Sequence, residues 1–176
     1  MHIYLMRHGE TDWNIARRMQ GHSDIPLNAN GLRQARQAAA GMRGLPIDRI
    51  LTSPLRRAKQ TAQAVAAGRG VPVLIEENLI EMGFGALEGK LLRDYPEYQC
   101  IFSDPERYVP AEGGESYPEL DERCRVLLEE IAEAMGQKGT MSALRRVAAG
   151  VYSEADAHTL EEIQAAKDAG PEALQA

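Results

Sequence analysis

The stretch LMRHGETDWN, residues 5–14, follows a short apolar run at residues 2–6 and determines the fold class that we predict. The run is too short for a helix and contains β-branched and aromatic residues, so it predicts a buried strand. Gly9 is expected to end this strand and to let the backbone approach another group closely. Arg7 and His8 would then lie at the carboxyl end of a strand, the edge at which open α/β sheets bind ligands.

The composition is that of a soluble globular protein. A chain of 176 residues with 44% hydrophobic and 26% charged residues predicts a single domain over 1–176. The net charge of −6 argues against a general nucleic-acid or membrane binder. Cys100 and Cys124 are too far apart for a CxxC motif, so a reducing, cytoplasmic location is expected. The sequence predicts neither a signal peptide nor a transmembrane helix.

Helix and strand patterns alternate after this first stretch. They are predicted at 28–44 (helix), 48–53 (strand), 53–70 (helix) and 71–76 (strand). Ser53 is the predicted N-cap of the second helix, with Pro54 at its first helical position. Such alternation predicts parallel βαβ units and therefore an α/β fold, a three-layer sandwich whose mainly parallel sheet has helices on both faces.

The second half of the sequence is less regular. Residues 81–116 are rich in Gly, Pro and aromatic residues, and a loop of that length is expected to be functional or mobile. Residues 116–136 contain the clearest helical pattern, with Ser116 and Glu119 as a capping box. A turn and a helix are predicted within 136–152, and a last helix over 158–171.

Charged residues follow each predicted strand: Arg7 and His8 the first, Arg56 and Arg57 the second, and Glu81 the third. In a parallel sheet these positions converge on one edge. Arginines beside a helix N-terminus suit a phosphoryl group. A histidine there could be a phosphate donor, a general base or a nucleophile, and a carboxylic acid could protonate a leaving alkoxide. The pattern predicts phosphoryl transfer without an obvious metal, with Arg56 expected on the exposed face of its helix.

Five ordered segments resemble the histidine phosphatase superfamily, in the branch that contains cofactor-dependent phosphoglycerate mutase and its phosphatase relatives. They are LMRHGETDWN (5–14), QGHSDIPLNANGLRQA (20–35), LTSPLRRAKQTA (51–62), LIEMGFGALEG (79–89) and EGGES (112–116). The resemblance runs over about residues 2–135.

The resemblance implies a role for each catalytic candidate. His8 would be the nucleophile and would be phosphorylated transiently. Arg7 and Arg57 would hold the phosphoryl oxygens, assisted by Asn14. Glu81 would protonate the leaving group and then activate water.

The resemblance also implies a substrate and its remaining contacts. Gln20 and Gly21 would bind substrate together with Asn14. The substrate would be a small phosphorylated metabolite, and the family needs no metal or other cofactor for this chemistry. Neither a nucleic acid nor a membrane is expected as a partner.

The sequence departs from the family pattern near its C-terminus, where a second histidine is expected. Met141 falls at that position, and methionine supplies no hydrogen-bond donor; losing such a donor costs about 10²–10³ in rate. Three interpretations stay open: the segment has been lost, the resemblance fails after residue 135, or His158 takes the role. The predicted function is therefore a phosphatase with impaired activity, the alternatives being a non-catalytic phosphate-binding protein or mutase-type phosphoryl transfer.

Overall fold

The computed structural model describes residues 2–134. Two units are distinguished, residues 1–127 and 128–176, and most of the described residues belong to the first. The predictions for Met141, His158 and the helices within 136–152 and 158–171 lie outside the described residues. A single domain over the whole chain stays a prediction.

A parallel βαβ unit forms the framework of the described part. Strand β1 (Ile50–Thr52) pairs in parallel with β2 (Val73–Ile75). Between the strands the chain forms a helix, Arg56–Ala66, which packs against both of them. Both strands lie within the segments predicted for them, and the α/β fold with a parallel sheet flanked by helices is confirmed.

Four α-helices accompany this sheet in residues 2–134: α1 (Asp12–Ile15), α2 (Ala29–Gly41), α3 (Arg56–Ala66) and α4 (Tyr117–Ala134). Helix α2 packs along α3. Within residues 2–134, no helix is both long and apolar enough to cross a bilayer.

Local capping signals explain where two of these helices begin. The Asn28 side chain accepts a hydrogen bond from the amide of Gly31 at 2.8 Å and caps α2. At α4 the predicted capping box is present, because Glu119 Oε2 accepts from the Ser116 amide at 2.8 Å and from the Ser116 hydroxyl at 2.7 Å.

The predicted start of α3 is wrong by two residues. Ser53 is buried after β1 and its hydroxyl lies 3.4 Å from the Leu55 amide, so it does not cap the helix, and Pro54 precedes the first turn. The amide of Arg56 instead donates to Asp24 Oδ1 at 2.6 Å. A carboxylate distant in sequence thus satisfies the helix N-terminus, and no local pattern reveals it.

The strand predicted at residues 2–6 is also absent. Neither of the two strands in residues 2–134 pairs with this segment, and its side chains are exposed, 73% for Leu5. A strand needs hydrogen-bonded neighbours as well as apolar residues. The composition of the segment suits a strand, but neither described strand forms backbone hydrogen bonds with it as a neighbour in the sheet.

The irregular segment predicted at 81–116 packs around a hydrophobic core. With the residues just before it, it forms 3₁₀ helices at Glu77–Leu79, Gly85–Leu87, Leu92–Asp94, Pro96–Phe102 and Pro105–Arg107. The buried cluster consists of Met19, Met82, Phe84, Leu87, Ile101, Tyr108 and Ala111. The side chain of Ile101 is fully buried. Short 3₁₀ turns, rather than a lack of packing, account for the weak periodicity of this sequence.

Two glycines bring the loop after His8 onto the start of α2. A Cβ atom on Gly9 would lie 2.5 Å from the carbonyl oxygen of Gly31, and one on Gly31 would lie 2.1 Å from the carbonyl oxygen of Glu10. The Asn28 amide donates to the same Glu10 carbonyl at 3.0 Å. Backbone therefore packs on backbone here, and any side chain would force the two segments apart.

We expect Gly31→Ala to lower the free energy of unfolding by about 1–3 kcal/mol, because the added methyl group overpacks a backbone contact. Gly41→Ala is the matched control. It changes the same helix where nothing lies within 4 Å of the added atom. We expect it to be neutral or to stabilise by about 0.5–1 kcal/mol. Urea unfolding of both variants makes the comparison, and equal stabilities would contradict the steric argument.

Candidate active site

The imidazole of His8 is held in one tautomer by its own neighbour. His8 is half-buried, and its Nδ1 lies 2.7 Å from the carbonyl oxygen of Gly9. A carbonyl can only accept a hydrogen bond, so Nδ1 carries the proton. In the neutral ring, Nε2 then keeps its lone pair, which is the form that a nucleophile or a general base requires.

Burial and neighbouring charges favour this neutral form. Burial lowers the pKa of His8, and although the bond to Gly9 and the carboxylate of Glu81 act in the opposite direction, Arg57 and Arg7 reinforce the decrease. The net pKa is below the ordinary histidine value. Arg7, Arg57 and Glu81 therefore lie close enough to His8 for their charges to affect its pKa.

The guanidinium of Arg57 is nearly inaccessible to solvent and is fixed by backbone carbonyls. Its residue is 1% exposed. Nη1 donates to the Ser23 carbonyl and Nη2 to the Gly21 carbonyl, both at 2.8 Å. Burial lowers the pKa of Arg57, with carboxylates including Glu81 opposing the decrease, and the group stays charged at physiological pH. A fixed positive charge beside a neutral imidazole suits an anionic substrate.

Glu88 holds the loop that supplies these carbonyls, and sequence reasoning did not identify it. Its Oε1 accepts from the His22 amide at 2.8 Å, and its Oε2 accepts from the Ser23 hydroxyl at 2.5 Å. Gly21 has a φ of +51°, and a Cβ atom there would lie 2.3 Å from Glu88 Oε1. The carboxylate therefore fills the space under the loop, and no local signal in the sequence marks this role.

Thr61 joins the histidine segment to α3. Its hydroxyl accepts from the Gly9 amide at 3.2 Å and donates to the Arg57 carbonyl at 2.8 Å. Sequence reasoning missed this residue as well. Its spacing of one helical turn from Arg57 is a signal that would have placed it on the same face.

Glu81 and the two remaining arginines are exposed. The Glu81 carboxylate accepts from the amide of Met82 at 3.0 Å, while the Met82 side chain is buried in the hydrophobic core. The carboxylate lies near both His8 and Arg57, whose pKa values it affects. Arg7 is solvent-accessible beside His8, and Arg56 is exposed, as expected from its helix face.

Each of the three predicted substrate-binding residues contacts either Thr11, whose side chain is buried, or Arg57. Asn14 Oδ1 accepts from the Thr11 amide at 3.0 Å, and Gln20 Oε1 accepts from the Thr11 hydroxyl at 2.7 Å. The Gly21 carbonyl binds Arg57. These contacts order the edge of the site, and a role in binding substrate stays a prediction for all three.

The site thus combines a neutral imidazole, two guanidinium groups and a carboxylate at the carboxyl ends of β1 and β2. Among the described residues, no three His, Cys, Asp or Glu side chains are grouped as metal ligands. The arrangement brings together a histidine, arginines and a carboxylate, which are residue types that phosphoryl transfer can use.

Known proteins match the chain over most of its length. The family model of the histidine phosphatase superfamily (branch 1) matches residues 3–155. A probable phosphoglycerate mutase GpmB from Cronobacter sakazakii is 40% identical over 129 residues, covering 70% of this chain and 59% of that protein. Its counterpart from Klebsiella pneumoniae is 40% identical over 134 residues, covering 73% and 61%. The match spans about three-fifths of the length of these relatives.

Solved structures also match. Bacillus stearothermophilus YhfR has a TM-score of 0.67 at 32% identity, covering 73% of this chain and 65% of that one. The alpha-ribazole phosphatase from Shigella flexneri has a TM-score of 0.67 at 31% identity, covering 74% and 67%. A mycobacterial glucosyl-3-phosphoglycerate phosphatase, solved with VO3, has a TM-score of 0.64 at 32% identity, covering 72% and 62%. With the family model matching most of its length, the chain belongs to branch 1 of the histidine phosphatase superfamily.

Proposed function

We propose that this protein is a phosphatase that hydrolyses a small phosphorylated metabolite through a phosphohistidine at His8. The observation that carries the proposal is the state of His8 itself. Its Nδ1–H is bonded to the Gly9 carbonyl, its pKa is lowered, and the buried charge of Arg57 lies nearby. A neutral imidazole beside a fixed cation is prepared to attack an electrophilic dianion.

In the first step the Nε2 lone pair of His8 attacks phosphorus. A P–N bond forms as the ester P–O bond breaks, and the leaving alkoxide takes a proton from the Glu81 carboxylic acid. Arg57 and Arg7 bind the equatorial oxygens of the phosphoryl group, with Asn14 assisting. Because the cations are already in place, little reorganisation accompanies charge development in the transition state.

In the second step water attacks the phosphohistidine. Glu81, now a carboxylate, takes a proton from the water as its oxygen bonds to phosphorus and the P–N bond breaks. Inorganic phosphate leaves, His8 regains its neutral Nδ1–H form and Glu81 is again an acid. The sum is one ester and one water converted to an alcohol and phosphate.

The substrate class is a small phosphate ester in the cytoplasm, bound with help from Gln20 and Gly21. The names of the relatives support this class, since they refer to phosphoglycerate, alpha-ribazole and glucosyl-3-phosphoglycerate chemistry. Mutase-type transfer within the same site is a second candidate, favoured by the similarity to the GpmB proteins. A mutase would return the phosphoryl group to a phosphoglycerate, whereas a phosphatase would release inorganic phosphate, so the product distinguishes the two activities.

A non-catalytic phosphate-binding protein is the alternative from another functional class. The observation that favours it is in the sequence, where Met141 stands at the position of the family's second histidine. Binding and turnover are therefore tested separately.

Arg57→Lys is expected to weaken orthovanadate binding by at least about tenfold, because an ammonium cannot reproduce the fixed fork of a guanidinium. Arg56→Lys is the control. It changes the adjacent, exposed residue of the same helix. We expect the orthovanadate affinity of Arg56→Lys to stay within about twofold of wild type, because solvent screens an exposed charge. Isothermal titration at low salt measures both, and equal affinities for all three proteins would remove Arg57 from the binding site.

His8→Asn is expected to lower kcat on p-nitrophenyl phosphate by at least about 10³-fold, because the nucleophile is lost. His2→Asn, at an exposed histidine, is the control and should retain wild-type turnover. A denaturing quench at alkaline pH, with the label in the phosphoryl group of the ester, should trap a phosphoryl group on wild type alone, and later treatment with acid should release it. If wild type is no faster than His8→Asn, the chain does not turn over through His8, and the non-catalytic alternative stands.

The pH dependence of kcat/KM should reflect the lowered pKa of His8. The neutral ring is the reactive form, so the rate falls as pH decreases through that pKa. We expect the acid limb of the profile to be centred below the ordinary histidine value of about 6.5. An acid limb centred above that value would contradict the assignment of a neutral, partly buried nucleophile.

A further inference from the structure

An ion pair between Arg123 on α4 and Glu115 lies beside the segment that carries Glu81. Arg123 Nε and Nη2 donate to the two oxygens of Glu115 at 2.6 and 2.8 Å. The side chains are 17% and 14% exposed, so the pair is largely removed from water. A bidentate pair of this kind fixes direction as well as distance.

The same two side chains bind the backbone on both sides of Glu81. Arg123 Nη1 donates to the carbonyl of Asn78 at 2.8 Å, three residues before Glu81. Glu115 Oε2 accepts from the amide of Gly83 at 3.2 Å, two residues after it, and the Glu115 amide donates to the Gly83 carbonyl at 2.7 Å. The segment 78–83 is therefore held at both ends by one ion pair.

Charge links the pair to Glu81 as well. Hydrogen bonding to Glu115 raises the pKa of Arg123, and the nearby carboxylate of Glu81 contributes to the same increase. Burial acts to raise the pKa of Glu115, but the bonds from Arg123 and Gly83 outweigh it and leave the pKa lowered. Both members of the pair thus stay charged.

Packing constrains the residues that follow Glu81, whereas Arg123 binds the backbone that precedes it. Met82 is anchored in the hydrophobic core, whereas the Glu81 side chain is exposed. On the other side, the His22 ring lies against Gly83, where an added Cβ atom would be 3.1 Å from His22 Cε1. No space is left for the backbone at Gly83 to shift toward His22.

We propose that the Arg123–Glu115 pair is the positioning element of the acid–base residue: it holds the backbone on both sides of Glu81. The inference rests on the proposed function of Glu81 and extends it to two residues that do not touch the substrate. The pair then serves proton transfer and not phosphate binding, which the proposed function gives to Arg7 and Arg57.

Substrates with different leaving groups distinguish a role in proton transfer from a role in phosphate binding. An alkyl phosphate expels a basic alkoxide that needs a proton in the transition state, whereas p-nitrophenolate leaves with little assistance. General acid catalysis contributes about 10²–10⁴ in rate where it is needed. The constant kcat/KM covers only the steps up to and including the first irreversible one. The ratio of kcat/KM between an alkyl and an aryl phosphate therefore measures how much the general acid contributes to leaving-group departure.

The experiment compares wild type with Arg123→Met, Arg123→Lys and Glu81→Gln on 3-phosphoglycerate and p-nitrophenyl phosphate. We expect Arg123→Met to lower kcat/KM for the alkyl ester at least tenfold more than for the aryl ester, in the same direction as Glu81→Gln. Arg123→Lys, which keeps the charge but not the bidentate geometry, should lie between. Arg125→Met is the matched control. It lies on the same helix in an exposed pair with Glu122 and should leave the ratio unchanged.

Orthovanadate affinity, measured on the same proteins, should be unaltered within twofold in every Arg123 variant. An equal loss on both esters, or an unchanged ratio, would overturn the proposal and reduce the pair to a structural role. If Arg123→Met does not fold, Glu115→Gln replaces it, because the amide keeps the shape of the carboxylate without its charge.

A wild type that turns over neither ester would defeat the proposed function instead, and the pair is then judged by hydrogen exchange. We expect at least tenfold faster exchange of the Gly83 amide in Arg123→Met than in Arg125→Met. Equal exchange rates in the two variants would overturn the positioning role independently of any catalysis.

Discussion

The described structure depends on keeping the guanidinium of Arg57 charged where water barely reaches it. Removing an ion from water costs several kcal/mol unless polar partners replace the lost hydration. Here the partners are carbonyls of Gly21 and Ser23, groups that cannot move without moving their loop. The loop is in turn fixed by Glu88, a residue distant in sequence. One desolvated cation thus orders three separate segments of the chain.

The same constraint gives an acidic protein a local concentration of positive charge. The chain carries a net charge of −6, but the groups around His8 include two arginines whose charges lower its pKa. Local field, not net charge, determines what binds. Glu81 acts in the opposite direction on the pKa of His8, but the net pKa stays lowered.

Much of the fold could be predicted because its signals are local. The capping pair Ser116 and Glu119, the apolar strand at β1 and the arginines after it are all readable over a few residues. The start of α3 was not, because its cap comes from Asp24 through tertiary contact. The strand expected at 2–6 failed for a related reason, since pairing depends on a neighbour and not on composition. In the site, the charged residues around His8 were recognisable because they follow the predicted strands, whereas Glu88, which orients a loop distant in sequence, was not.

The bond between His8 Nδ1 and the Gly9 carbonyl has a consequence for regiochemistry. An imidazole has two nitrogens that can react with electrophiles, and in solution both are available. Here the hydrogen bond to the Gly9 carbonyl keeps Nδ1 protonated, so Nδ1 has no lone pair with which to react. Any phosphoryl, acyl or alkyl group taken up by this ring is therefore directed to Nε2, so that the backbone of residue 9 determines which isomer of a modified histidine the protein can form.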